Sequence, residues 1–361
     1  MQINYGLIGL GGIARTHLQA ISCMPVLSPP VPPLNLAALL TTDPGKTDFG
    51  HKLGFKHVEQ DLDRFLGLPE LDVVDICTPN RLHKEQVIAV AKAGKHIYYE
   101  KPLTADGQEA AALEQELVGT EQLLQGAFVL RFLPAVARAR TLIAQGLLGR
   151  IHSFRFQLYH AGYLNPARPG SWRLQAEMSG GGALMDLGCH LLDLVRFMLA
   201  EAESVQAWTE TVVKERKWPQ GMEKVDVDDH ALVVLGLKNG SRGTVEVSRV
   251  AVGGEGLRLE IYGSNGAVHI TPDKPVPHCY DVSGREFIPE GEADEFERHL
   301  QPLVPPAKLS MGWMLDSHFA SLAWFLRSVQ TGSAPVGTPD LAEGVKTQLL
   351  VQAAYDSAKK T

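Results

Sequence analysis

Lys101 stands in the segment Glu100-Lys101-Pro102, and Asp186, His190 and Asp193 recur at helical spacing after the run Gly180-Gly181-Gly182. A lysine ammonium can donate to a reacting oxygen and stabilise negative charge that develops there. A histidine one helical turn from a carboxylate can act as a base near neutral pH. Spaced i, i+4 and i+7, Asp186, His190 and Asp193 share one helix face. Plainer readings stand beside this one: Lys101 as a surface cation, Glu100-Lys101 as a solvated pair, and Asp186–His190 as a structural salt bridge. The Asp/His pair could also ligate a metal, but no HExxH motif or cysteine companion accompanies it, so no metal is expected.

Chemistry of this kind needs a second reactant, and the N-terminus supplies a place for one. Gly9-Leu10-Gly11-Gly12-Ile13-Ala14 follows a first apolar strand and opens a first helix. This is the GxGxxA form of the dinucleotide fingerprint: glycines for the tight turn and close approach of pyrophosphate, a small third position for helix–strand packing, and a helix N-terminus facing the charge. The alternative is a glycine turn packed for steric reasons only. NAD binders usually carry an acidic residue at the end of the second strand. Here Thr41 and Thr42 occupy that place, Asp43 comes late, and Lys46 is near, a pattern that leans from NAD toward NADP. Asp43 reads equally well as the N-cap of the next helix.

The elements that must position these residues change character along the chain. Strands are expected at Ile3–Gly9, Leu36–Thr41, Val73–Thr78, His96–Tyr99 and Gln122–Ala127, with helices at Ile13–Ser22, His83–Ala93 and Gln108–Leu117. Near-continuous apolar strands alternating with helices predict a doubly wound parallel sheet covered on both faces. Pro25–Pro33 reads as a proline-rich loop. After about residue 150 the pattern becomes hairpins: Ile151–Tyr159, a helix Ala183–Leu199, then strands at Ser204–Val213, Asp229–Leu237, Arg242–Arg249, Leu257–Tyr262 and Ala267–Ile270. Asn239-Gly240 and Asn265-Gly266 are hairpin turns. Helices near Met311–Gln330 and Asp340–Lys359 close the chain. The expected organisation is α/β plus α+β. Residues 1–127 form a Rossmann domain, and 128–361 a largely antiparallel open-sheet domain for substrate and oligomerisation, its C-terminal helix free to pack back on the first.

Bulk properties narrow the function class. The 361 residues carry a net charge of −7, with no basic excess to displace phosphate counterions, so nucleic acid is not an expected partner. Cys23, Cys77, Cys189 and Cys279 are scattered, which suggests neither a disulfide framework nor a cysteine-rich zinc site. The N-terminus lacks a signal-peptide pattern, and no apolar run approaches the roughly 18 residues that span a bilayer. A soluble cytoplasmic protein is expected, with no membrane partner.

Four segments together carry a resemblance. They are the N-terminal glycine turn, Cys77-Thr78-Pro79-Asn80 with His83, Ala93-Gly94-Lys95-His96 through Glu100-Lys101-Pro102, and GGGxxxDxGxHxxD from Gly180 to Asp193. In this order they resemble the Gfo/Idh/MocA family of NAD(P)-dependent oxidoreductases, over essentially the whole chain. The resemblance implies that Lys101, Asp186 and His190 are the catalytic group. It implies that Thr78, Pro79, Asn80, His83 and Glu100 line the cofactor cleft and that Trp172-Arg173 reaches both cofactor and substrate. Arg131, His160 and Tyr163 fall where relatives contact substrate. The implied reaction is hydride transfer between NAD(P) and a hydroxyl or carbonyl carbon of a sugar, inositol or related polyol, in a homodimer or homotetramer built through the C-terminal sheet. Thr41 departs from the family pattern and blurs the cofactor choice. A nucleotide-bound sensor of the same fold, an aldose–aldose oxidoreductase with tightly held cofactor, and a hydrolase using transient oxidation are rival functions.

Overall fold

The computed structural model describes residues 2–360. The chain divides into two compact units: Met1–Thr104, Gln108–Val129 and His299–Val345 in the first, and Ala105–Gly107, Leu130–Arg298 and Lys346–Thr361 in the second.

In the first unit, six short strands form one all-parallel sheet: β1 (Ile3–Ile8), β2 (Leu34–Leu40), β3 (His57–Glu59), β4 (Val73–Ile76), β5 (His96–Tyr99) and β6 (Leu124–Gly126). Their order is β3-β2-β1-β4-β5-β6. Chain direction across the sheet therefore reverses between β1 and β4, and ligands of such sheets bind beyond the carboxyl ends of strands flanking that switch point. Apolar side chains from both faces are buried, Ile8, Leu40, Val74, Ile76, Ile97 and Tyr99 on one and Tyr5, Leu7, Leu39, Val73 and Tyr98 on the other, as a helix-covered parallel sheet requires. The first helix runs Gly12–Leu27 and takes in Pro25, so the expected proline loop begins later than its composition suggests. Pro25 stands in the last turn, where it forfeits one backbone bond, and the helix ends two residues on, at Leu27, capped by Ser28 in the left-handed conformation. The helix Trp313–Thr331 also belongs to this unit, and its Ser321 Oγ shares a 2.8 Å hydrogen bond with Tyr98 Oη at the sheet.

The second unit holds a mixed sheet of eight strands. They are β7 (Ile151–Tyr159), β8 (Ala202–Glu210), and, after a separate hairpin of β9 (Glu215–Trp218) and β10 (Gly221–Lys224), β11 (His230–Leu237), β12 (Arg242–Ser248), β13 (Gly256–Gly263), β14 (Gly266–Ile270), β15 (His278–Asp281) and β16 (Glu286–Phe287). The order is β16-β15-β14-β13-β7-β12-β11-β8. Every neighbouring pair is antiparallel except β7–β12. Gly240 (φ 83°) and Gly266 (φ 147°) make the turns of the two hairpins announced by Asn-Gly. β8 stops short of its expected end because the backbone N–H groups of Val212 and Val213 donate to the Asp229 carboxylate, at 3.0 and 2.9 Å, instead of to a neighbouring strand.

Candidate active site

Three turns meet at the carboxyl ends of β1, β4 and β5. In the first, Gly9 has φ 90°, and a Cβ there would lie 2.9 Å from the Cys77 carbonyl oxygen, so the turn presses against the segment that leaves β4. Gly11 and Gly12 differ: a Cβ on either would meet nothing within 4 Å. Protein packing does not require glycine at those two positions, whereas a ligand drawn close to the backbone does. The helix that starts there has no side-chain cap and no acidic residue in its first turn, so its N–H groups are open to an anion. Ala14 is fully buried, which gives the small third position its packing reason. Ile13 is half-buried between them.

The second and third turns are tied by one imidazole. His83 is fully buried, with Nε2 3.0 Å from the Thr78 carbonyl oxygen and Nδ1 2.9 Å from that of Pro102. Burial pushes this imidazole below its ordinary pKa, against the two carbonyls that favour the protonated ring. Thr78 Oγ1 donates to Gln86 Oε1 at 2.6 Å, Pro79 precedes the 3-10 turn Asn80–Leu82, and Asn80 is buried. Lys101 lies half-buried between Glu100, only 5 % exposed, and Pro102. The structure thus brings together the glycine turn, the Thr78–His83 segment and the Glu100–Pro102 segment.

At the end of β2, Thr41 is buried and Thr42 exposed. Thr41 Oγ1 accepts from the backbone N–H of Asp43 at 3.3 Å. Asp43 caps the short turn Pro44–Lys46, its Oδ1 accepting from Gly45 N at 3.0 Å, and Lys46 pairs with it at 3.5 Å.

In the second unit, the residues from Gly180 to Asp193 are held by crowding. A Cβ at Gly180 would lie 1.8 Å from the Ala105 carbonyl oxygen, one at Gly182 1.8 Å from that of Asp228, and one at Gly181 2.2 Å from Tyr355 Oη. The Asp228 carboxylate accepts from Gly182 N (2.9 Å) and Leu184 N (2.8 Å), and Tyr355 Oη donates to it at 2.7 Å. The helix it caps opens with a π turn, Leu184–Gly188, before the α-helix Cys189–Met198. Asp186 sits in that π turn and His190 in the α-helix. His190 is 9 % exposed.

Asp186 makes an ion pair with Arg249, Nη2 to Oδ2 at 3.2 Å, and the same nitrogen donates to the Gly182 carbonyl oxygen at 3.1 Å. The Arg249 guanidinium lies 4.8 Å from the Tyr163 ring centroid, and that of Arg168 lies 4.1 Å from it. His160 is 5.8 Å from the same ring and takes the Gly162 N–H at Nδ1, which leaves its proton on Nε2. Burial lowers the His160 pKa, with the Asp186 charge opposing. Asp186, Arg249, His160 and Tyr163 therefore form one cluster. Trp172 and Arg173 stack on each other at 4.3 Å in the 3-10 turn Trp172–Leu174. Arg131, expected at the substrate, is 1 % exposed and makes a bidentate pair with Asp193 at 2.7 and 2.5 Å. Its guanidinium anchors the helix Cys189–Met198 from inside. Sequence reasoning missed Arg249, Asp228 and Tyr355. A buried-phase arginine directly after the apolar alternation of β12 was the one local signal for the first.

Residues 3–128 match the family model described as the oxidoreductase family with NAD-binding Rossmann fold, and residues 136–269 match the Gfo/Idh/MocA C-terminal domain. The chain is 31 % identical to levoglucosan dehydrogenase of Pseudarthrobacter phenanthrenivorans, covering 99 % of this chain and 96 % of that one. It is 26 % identical to myo-inositol 2-dehydrogenase of Thermotoga maritima, over 98 % and 96 %. Among solved structures, a levoglucosan dehydrogenase in complex with NADH and levoglucosan superposes with a TM-score of 0.89 at 30 % identity, covering 100 % of this chain and 98 % of that one.

Proposed function

The chain belongs to the Gfo/Idh/MocA family of NAD-dependent oxidoreductases, and from that premise we propose that it moves a hydride between nicotinamide C4 and a hydroxyl-bearing carbon of a sugar, inositol or related polyol, with Lys101, Asp186 and His190 as its catalytic group. One observation carries the assignment: His83 ties the Thr78 turn to the Lys101 turn beside a glycine turn whose Gly11 and Gly12 are open toward solvent. That arrangement supports a bound dinucleotide with Lys101 at its reacting end. The first unit, which takes back residues 299–345 from the expected 128–361 domain, would bind cofactor, and the second would bind substrate and self-associate through the open sheet.

When bound, the nicotinamide supplies the hydride acceptor or donor. In the oxidative direction His190 takes the hydroxyl proton as general base. Lys101 donates a hydrogen bond to the reacting oxygen and stabilises the negative charge that grows there. Asp186, held by Arg249, orients the base or a neighbouring hydroxyl, with His160, Tyr163 and Arg173 as further polar contacts for a polyhydroxylated substrate. The role proposed for Arg131 is support of the helix Cys189–Met198, since its guanidinium is engaged by Asp193. Reduction reverses these proton transfers.

Thr41, Thr42 and Lys46 lean toward NADP, but Lys46 is paired with Asp43, whose charge would oppose a 2′-phosphate. The relatives solved with NADH point the same way, and we take NAD(H) as the cofactor. Free cysteines fit a reducing compartment such as the cytoplasm. Among the described residues no helix is long and apolar enough to cross a membrane.

The test is a panel of anhydrosugars, aldoses and inositols with NAD and NADP, run on wild type and Lys101→Met. Turnover should appear with NAD and fall by about two to three orders of magnitude in the variant, while NADH affinity by fluorescence titration holds within a few-fold. A variant turning over at half the wild-type rate or better would remove Lys101 from the chemistry.

A further inference from the structure

Three polar side chains from separate elements converge inside the first unit: His17 on the first helix, Glu100 just after β5, and His318 on the helix Trp313–Thr331. One donor atom from each lies within 4.8 Å of the other two. His17 Nε2 is 3.0 Å from Glu100 Oε1, and the His17 and His318 rings are 5.2 Å apart. All three are buried, His17 at 0 % exposure and Glu100 and His318 at 5 %. A core histidine is most often satisfied by its neighbours, and His17 is, since its Nδ1 also lies 2.7 Å from Asp75 Oδ2. His318 is not. Its Nδ1 is buried and has no hydrogen-bond partner among the described residues. A buried nitrogen in that state calls for an acceptor, a water or an ion.

Two imidazoles and one carboxylate make a donor set for a zinc-type dication, with a fourth position left for water. A ligating histidine commonly donates its other ring N–H to a carboxylate, which fixes the tautomer and the ring's orientation. Asp75 stands in that place behind His17, and the Tyr5 hydroxyl donates to Asp75 in turn. Donor atoms around a tetrahedral zinc sit about 3.4 Å apart, so closing the triad asks for shifts of no more than about 1.5 Å. Burial and the neighbouring His17 charge push His318 down to about 3, so its ring is neutral near pH 7, as ligation requires. Glu100 and His318 keep a little open surface, so an ion enters past them rather than past His17. A second triad, His17, Asp75 and Cys77, lies within the same span but suits an ion less well. There Asp75 is already at hydrogen-bond distance from His17, and burial pushes the Cys77 thiol up, away from the thiolate that a metal needs.

We propose that His17, Glu100 and His318 form a binding site for a divalent transition metal of the zinc type, with Asp75 as the carboxylate that orients His17. Bracketed by two carboxylates, His17 without an ion carries protons on both nitrogens. The dication takes the place of the proton on Nε2, which leaves to solvent. Asp75 and Glu100 together balance a dication, where an imidazolium balances only one of them. The ion staples the first helix, the turn after β5 and the helix Trp313–Thr331. His17 and Glu100 are 83 positions apart, so no local motif announces the site. It uses neither Asp186 nor His190 and stands without the catalytic reading of Lys101.

The test uses the full chain, stripped with EDTA and free of cofactor, dialysed against zinc chloride and titrated with cobalt chloride. His318→Leu removes one ligand while filling a similar volume, so the variant should fold. Wild type should retain about one more zinc per chain than His318→Leu. Its cobalt spectrum should show the visible bands of nitrogen and oxygen ligands without thiolate charge transfer, and His190→Gln should leave that spectrum unchanged. Asp75→Asn should weaken zinc binding by roughly tenfold to a hundredfold. Zinc should raise the thermal midpoint of wild type and not that of His318→Leu, because the ion binds the folded form. Wild type that retains no zinc, or His318→Leu that binds it equally well, overturns the proposal. A spectrum lost in His190→Gln, or one that shows a thiolate band, would put the ion on other ligands and overturn it as well.

Discussion

Arg249 shows how a residue with no motif of its own can govern one that has one. Its backbone N–H donates to the Asp229 carbonyl and its own carbonyl accepts from Tyr163 N, at 2.8 and 3.0 Å, so the main chain is pinned on both sides of the guanidinium. Burial works against the charge, but the Asp186 carboxylate together with Tyr163, Asp228 and Tyr355 outweighs it and raises the Arg249 pKa. Arg249→Gln removes the cation and the stacked plane over Tyr163, and Arg249→Lys restores only the charge. We expect the Gln variant to lose about 1–3 kcal/mol in urea unfolding. Its kcat/KM for the sugar should fall by roughly tenfold or more, with NADH affinity unchanged and partial recovery in the Lys variant. A Gln variant as efficient as wild type would show that Asp186 needs no help from it. Lys101, Asp186 and His190, the proposed catalytic group, could be named from sequence because motif spacing is local. Arg249, His17 and Asp75 could not, since their partners lie tens of residues away. What the sequence does show is a charge in an apolar run, as at Val73-Val74-Asp75-Ile76, and such a charge must find a buried partner.

Glycine serves two opposite purposes in these elements, and the difference is measurable. At Gly182 the protein itself occupies the space of a Cβ, with backbone atoms that cannot swing aside. At Gly11 nothing of the protein lies within 4 Å of that position. Gly182→Ala should therefore cost about 3 kcal/mol or more, or fail to fold. Gly11→Ala should unfold within about 1 kcal/mol of wild type yet bind NADH at least tenfold more weakly, because a methyl group now stands where pyrophosphate approaches the backbone. Equal NADH affinity in Gly11→Ala would mean that the turn is not the phosphate site. Five of the six parallel strands were legible as apolar runs, though not β3, where Val58 is the one apolar residue, and two hairpins were legible as Asn-Gly turns. β9 was not, because its inward positions are Arg216 and Trp218. Arg216 is 0 % exposed and donates to the carbonyl oxygens of Tyr163, Asn165 (2.8 Å) and Arg168 (3.3 Å), so a polar side chain fills an interior position and breaks the hydrophobic alternation. The π turn was equally hidden, since nothing in Leu184–Gly188 departs from ordinary helical composition.

For the molecule as a whole, the succession of a parallel and a mainly antiparallel sheet could be read from the changing pattern. The return of His299–Val345 to the first unit could not, since nothing local in those residues announces it. The second sheet also bears on assembly. Its strands alternate, with Ala207, Val233, Phe156 and Leu259 buried on one face. The register places Trp208 opposite Leu232, and Tyr262 and Tyr280 both opposite Ala267, on the other. Trp208 is 45 % exposed, and Leu232, Val234 and Tyr262 are only half-buried. The same face also carries Glu246, Gln157, Arg155, Arg258 and Glu260, so a contact made through it would set charge pairs around the aromatic and branched side chains. A stable contact needs roughly 800 Å² per partner, and eight adjacent strands offer a face on that scale. Self-association through this sheet should make the protein sediment as a dimer or tetramer of the 39.3 kDa chain. Trp208→Glu combined with Leu232→Glu sets like charges directly across from each other and against the same pair on a partner. It should drop the mass to that of one chain while NADH binding is retained, because the nucleotide residues belong to the other unit. A wild-type protein that sediments as a monomer at micromolar concentration, or a double variant that still associates, would place the oligomeric contact elsewhere or remove it.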